Sequence, residues 1–411
     1  MTNVHSRCAC LVLMGVTLLG LTTPEPLMGA VSRRDIDAIR QKVGLETTDL
    51  ATVQAFVNEQ LDAMVGATTE AALADATREL IEIAWPLVRD EATVQAYRQA
   101  YAEAVLRDFA RLYQQGLQLA EQQNTAQLGD HLRLSATVVL ANTGNPKSLE
   151  LFAGLLADPS AQVRYWGAKG MAQPELPLYL QSQNAATVRA PLLKGLTEAA
   201  AKETSAAVLV QLALAADLPA VPESIPVVQA CAARRVAQYN TWLVTDEWAD
   251  TLLIQRLLGL VRGDVASNDP AVTRALVRNA ADLYSAAFDR YSKAMNYAED
   301  NQSIPLLQPA SKRAIETLLI QGETEFLVLS AAVTGRSRRP RMQAALPQSN
   351  WPLINKSFEA LLSPPSGDVV QAFDIYQGNE GPLKLADPPA EVIQNAKTLL
   401  EIQKKTVGGE L

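Results

Sequence analysis

Histidine is nearly missing from this chain: His5 and His131 are the only two. His5 falls in a leader-like N-terminal segment, so catalytic histidine pairs and His-rich metal sites are excluded from the rest. Cysteine is almost as scarce, at Cys8, Cys10 and Cys231. With the leader removed, Cys231 would stand alone. No intrachain disulfide could then form, and an exported chain would have to be held by its core. Strand signals are lacking as well, since no run of alternating β-branched residues is flanked by hairpin turns. The chain has no glycine-rich phosphate loop, no zinc-type cysteine spacing and no serine nucleophile elbow, and no cofactor is implied. It has no basic excess either. A net charge of −8 argues against a general nucleic-acid binder.

What is present is alanine and leucine with much glutamine and glutamate, the composition of helices. At 411 residues the chain exceeds one compact core of usual size, so two or three units or one elongated array are expected. The N-terminus reads as an export signal over residues 1–30. Arg7 gives a positive start, residues 11–21 (LVLMGVTLLGL) form an apolar run of signal-peptide length, and Pro24 and Pro26 break any helix. Met28-Gly29-Ala30 is an imperfect small-residue cleavage site. A cleaved signal would place the protein in the periplasm, in the envelope or outside the cell. An uncleaved anchor or a misplaced start codon is the other reading. Cys8 and Cys10 precede the apolar run, which argues against a lipoprotein. No other stretch is long and apolar enough to cross a membrane.

Along the chain, residues 31–45 read as a charged, mobile lead-in. Apolar positions at helical spacing then predict a helix from Thr48 to Gly66, a second from Thr69 to Trp85, and a long third opened by Asp90. Residues 31–128 are an N-terminal helical region and 129–216 a run of helical hairpins. Pro219, Pro222 and Pro226 make 217–226 a break. Divergent hairpins follow over 227–345, including a helix opened by Asp269-Pro270 and a helix pair 311–322 and 323–334. Residues 346–411 form a C-terminal segment of short helices and a loose tail.

Within residues 130–170 the pattern becomes specific. A helix over 131–140 is followed by another over 147–156, and Asp158-Pro159 opens a third that carries Val163-Arg164, Ala168 and Gly170. These residues resemble the HEAT-repeat family, whose second helix opens with Asp-Pro, then Val-Arg, then small residues. Leu132-Arg133 with Ala136, and Val188-Arg189, match the pattern in part. Arg133, Arg164 and Arg189 lie 31 and 25 residues apart, and Gln127 and Gln183 stand where the family has Asp. The resemblance implies an all-α fold, an α-solenoid of stacked hairpins. It makes Asp158, Pro159, Val163, Arg164, Arg133 and Arg189 structural repeat positions, and it brings no catalytic residue.

Few residues offer chemistry. His131 follows Asp130 at a predicted helix start, with nothing nearby to complete a triad or ligand set. Cys231 lies in an apolar helix before Arg234 and Arg235; it is either a buried structural cysteine or a thiol made acidic by them. Asp246, Glu247 and Asp250 cluster between Trp242 and Trp248, which suits helix capping or a sugar site with paired carboxylates. Tyr284, Phe288 and Tyr291 form a stripe at helical spacing, either a packing face or a groove for a partner helix. Arg336, Arg338, Arg339 and Arg341 crowd one loop, solvated or set to meet a phosphate, an anionic lipid or an acidic protein.

These readings lead to the expectation of a non-enzymatic, exported scaffold that presents a concave helical surface to a protein partner. The alternatives are an exported helical enzyme acting on glycans through acidic residues and an N-terminally anchored envelope protein. No nucleic-acid partner is expected. Membrane contact is expected only through an uncleaved N-terminus or the arginine loop.

Overall fold

A computed structural model describes residues 31–218, 221–263, 269–299, 302–376 and 380–408. The expected export signal, Pro219, and the last three residues of the tail lie outside them. Among the described residues the fold is all-α, apart from a two-residue antiparallel ladder between Ala298–Glu299 and Gln302–Ser303. No described helix is long and apolar enough to cross a membrane.

The N-terminal helices are α1 (Arg33–Ile39), α2 (Thr47–Gly66), α3 (Glu70–Ile83), α4 (Glu91–Ala120) and α5 (Ala126–Ala141). The first corrects the expected mobile lead-in. Ser32 caps α1 through a reciprocal box with Asp35, and Ile36 and Ile39 are buried. The cap of α2 is Glu46 rather than Thr48; Asp49 serves it from inside the helix and also meets Lys42 at 2.6 Å. Asp90 caps α4 as its sequence predicts, through the Thr93 amide.

The middle of the chain forms α6 (Leu149–Leu155), α7 (Ala161–Met171), α8 (Glu175–Gln181), α9 (Ala186–Lys202) and α10 (Ala206–Ala215). Ser160 is the cap of α7, so Pro159 precedes the helix instead of occupying its first turn. The small residues of α7 serve close approach: a Cβ on Gly170 would overlap the Phe152 ring of α6. Beyond the proline-rich stretch come α11 (Ile225–Asn240), α12 (Trp248–Val261), α13 (Pro270–Met295) and α14 (Pro309–Thr334). Asp269 caps α13 through the Ala271 amide, with Pro270 in the first turn. Helix α14 is continuous where the sequence predicts two helices. Gly322 reads as a terminator, but it is there because Tyr284 of α13 packs on it; a Cβ would sit 2.6 Å from that ring. Short helices α15 (Met342–Ala345), α16 (Trp351–Leu362) and α17 (Asp368–Phe373), then α18 (Ala390–Gly408), complete the chain.

Contacts run in two successions. In one, α3 packs on α5, α5 on α7, α7 on α10, α10 on α12 and α12 on α14. In the other, α6 packs on α9, α9 on α11 and α11 on α13, while α2 packs on α4. One apolar core threads between them, and Leu218, Val221 and Ile225 carry it past the proline-rich stretch. A small separate cluster of Ala206, Val210 and Ala249, with Leu214 and Leu252 against it, joins α10 to α12.

Candidate functional site

Arg133 and Arg164 tie consecutive helices of the first succession together. Arg133 of α5 reaches Asp158, just ahead of α7, and also bonds Asp130 at 2.6 Å. Tyr113 of α4 donates to the same Asp158 carboxylate. One step on, Arg164 of α7 makes a two-pronged bridge to Glu203, at 2.7 and 2.9 Å, just ahead of α10. Its remaining nitrogen donates to the Asp158 and Pro159 carbonyls. Burial acts to raise the Glu203 pKa. Arg164 and the amides of Ser205 and Thr204 outweigh it and hold the carboxyl below its ordinary value. Val163 is fully buried beside this pair. Arg189 differs, because it caps the Leu180 carbonyl of α8 at 3.0 Å rather than bridging onward.

The acidic cluster between the two tryptophans is taken apart by arginines. Asp250, fully buried, accepts from Arg235 Nε at 2.6 Å, Arg235 Nη2 at 3.1 Å and the Tyr239 hydroxyl at 2.6 Å. Glu247, also buried, is held by Arg290 of α13 at 2.7 Å. These contacts leave neither carboxylate free to act as acid or base on a sugar. Only Asp246 faces outward. The turn carrying them is strained, because Trp242 and Asp246 adopt left-handed backbone angles, φ 62° and 57°. Arg235 and Arg290 fix it from below by donating to the Thr245 and Val244 carbonyls, and the Trp242 indole donates to the Ala386 carbonyl. The turn thereby presents Leu243, 71% exposed, and Trp248, 47% exposed.

Trp248 also lines a cleft of about 320 Å³ between α12 and α14. Thr251, Leu252 and Gln255 of α12 and Thr317 and Gln321 of α14 complete its wall. Past Leu252 and Leu214 a second cleft opens between α7, α10 and α12, lined by Lys169, Gln211, Asp217 and Arg256.

The aromatic stripe is a packing face. Tyr284, Phe288 and Tyr291 are buried; Phe288 stacks on Phe358 of α16 at 3.9 Å between ring centroids, and Tyr291 lies against Trp351. They are not available to a partner helix, because α16 already occupies that position. Cys231 is fully buried and burial pushes its thiol up; Arg234 and Arg235 are drawn away to the Glu203 carbonyl and to Asp250. His131 sits well inside α5, 3.4 Å from the exposed Glu70. Among the described residues no group of three potential ligands could hold a metal ion.

The arginine loop follows α14, which ends on the left-handed Gly335. Arg336, Arg338, Arg339 and Arg341 are all exposed. Arg338 pairs with Asp368 at 3.1 Å, and the other three make no ion pair among the described residues. The end of the loop is anchored: buried Glu323 accepts the Arg341 and Met342 amides, each at 2.8 Å. Sequence reading missed Glu323, Arg235, Arg290 and the α12–α14 cleft. The Arg234-Arg235 pair in an apolar helix was the one available hint, since a buried arginine requires a buried acid. No protein-family model matches the chain, and no curated protein matches it at a significant level.

Proposed function

We propose that this chain is an exported, non-enzymatic binding scaffold. In this reading it is an α-solenoid of HEAT-like hairpins that docks an acidic protein partner through its arginine loop. The observation that supports the solenoid most is the pair of rungs, Arg133 to Asp158 and Arg164 to Glu203. Each joins one helix of the α5–α7–α10 succession to the approach of the next. Solenoids bury their cores between neighbouring repeats and leave an extended surface for macromolecules. The carboxylates best placed for catalysis are spent in ion pairs. The arginine loop supports the choice of partner. It offers three guanidiniums with no ion pair among the described residues, on a loop anchored at its end, in a chain whose net charge is −8. Such a loop would hold carboxylates in two-pronged pairs and steer an acidic surface to it. The signal-like sequence of residues 1–30 supports export.

The test is purification of the tagged full chain from envelope and culture fractions of its own cells. The combined variant R336E/R339E/R341E is carried in parallel. A stoichiometric acidic protein is expected with the wild type. Its binding should weaken with salt and be lost in the variant, whose melting temperature should be unchanged. The mature N-terminus should begin near Val31. A partner retained by the variant, or no stoichiometric partner at all, would count against this reading.

A further inference from the structure

The α12–α14 cleft contains a buried polar atom that the fold does not use. Thr251 is 8% exposed, lines the cleft, and its hydroxyl has no hydrogen-bond partner. Several threonines inside other helices turn the hydroxyl back onto the carbonyl four residues earlier, as Thr77, Thr137, Thr197 and Thr317 do. Thr251 does not. An unsatisfied buried hydroxyl is a standing cost to the fold, and such groups in native proteins often serve a ligand. The rest of the wall has matching chemistry. Gln255 and Gln321, both exposed, each bring an amide that can donate and accept. Leu252 supplies apolar floor. Trp248 stands at one end, half exposed and stacked on no other ring among the described residues, with its indole N–H 3.4 Å from Asp246.

No basic side chain lines this cleft, so it has nothing to hold a phosphate or a carboxylate. Its volume lies at the small end of the range for ligand sites, about 300–1,000 Å³. An extended peptide crossing the helices would run past the Leu214–Leu252 ridge into the charged second cleft. A compact, uncharged ligand rich in hydroxyls fits the neutral cleft alone. We propose that the α12–α14 cleft binds a neutral saccharide, one pyranose ring lying on the Trp248 indole. The slightly positive C–H groups of such a ring suit the negative face of an indole. Its hydroxyls would meet Gln255, Gln321 and the idle Thr251 hydroxyl, with the Asp246 carboxylate beside the indole as a further acceptor. The site binds without cleaving, because Glu247 and Asp250 are held by arginines. It does not depend on the scaffold reading.

Isothermal titration of the full chain with cellobiose, N,N′-diacetylchitobiose and maltose tests this. Saturable binding of at least one is expected. W248A, at an exposed position, should abolish it. T251V, which keeps the shape and removes the hydroxyl, should weaken it about tenfold, the value of roughly one hydrogen bond. The same T251V should melt no lower than the wild type, because it removes an unsatisfied group. An octapeptide of alternating alanine and serine is the competing ligand. No binding of any saccharide would overturn the proposal. So would saccharide binding that both variants leave intact, or Trp248-dependent binding of the peptide alone.

Discussion

Arg235 and Asp250 are both essentially excluded from solvent, with side chains 1% and 0% exposed, yet they form a two-pronged pair completed by the Tyr239 hydroxyl. Two ions in such a place hold each other, and removing one strands the other. D250A is therefore expected to cost about 3–5 kcal/mol in urea unfolding. An exposed catalytic acid would leave stability nearly unchanged. Glu203 makes a second residue-scale prediction. Its folded pKa is below the ordinary 4.5, so its contribution is complete above that pH and is lost as the pH falls through the lowered value. The melting temperature of E203Q should therefore fall less between neutral and acid pH than that of the wild type. Equal acid sensitivity in the two proteins would mean that the Arg164 pair is not a source of stability.

Helices meet through their small residues, and at Gly116, Gly129, Gly167, Gly170 and Gly322 a Cβ would press on a neighbouring helix. A methyl group at Gly322 would displace the Tyr284 ring, which also stacks on Phe358. G322A is expected to lose about 1–3 kcal/mol by overpacking, despite alanine's better helix propensity. A stabilised variant in thermal unfolding would show that Tyr284 can yield. The same glycine shows what was legible in advance. Apolar spacing located most helices, because the core face repeats with the helix period. Gly322 was misread as a stop, since a sequence does not reveal which ring rests on a glycine. Helix α1 was missed because its apolar face is only Ile36 and Ile39. Asp158, Val163 and Arg164 could be singled out by their resemblance to repeat positions. Their partners could not, because Arg133 and Asp158 are 25 residues apart and Arg164 and Glu203 are 39 apart. The saccharide cleft was half visible. Trp248 and Asp246 stood out, while Thr251 and Gln321 become meaningful only when α14 is set beside α12.

At the scale of the whole molecule, helices pack mainly on helices near them in the chain. A fragment of residues 31–218 should therefore keep its helical circular dichroism and unfold cooperatively, at a lower temperature than the whole chain. An unfolded fragment would mean that the core forms only as one global unit. Stiffness, however, is not spread evenly along the chain. At the turn after α11, arginines from α11 and α13 both hold the start of α12, and the Trp242 indole ties the same turn to Ala386. Under load, three helices cinched at one corner behave as a single strut. Joints without such ties, α6 on α9 among them, would give way first. The elastic shape of the molecule would then be set on one side of the strut, and the cleft beside Trp248 would keep its width while the remainder flexes.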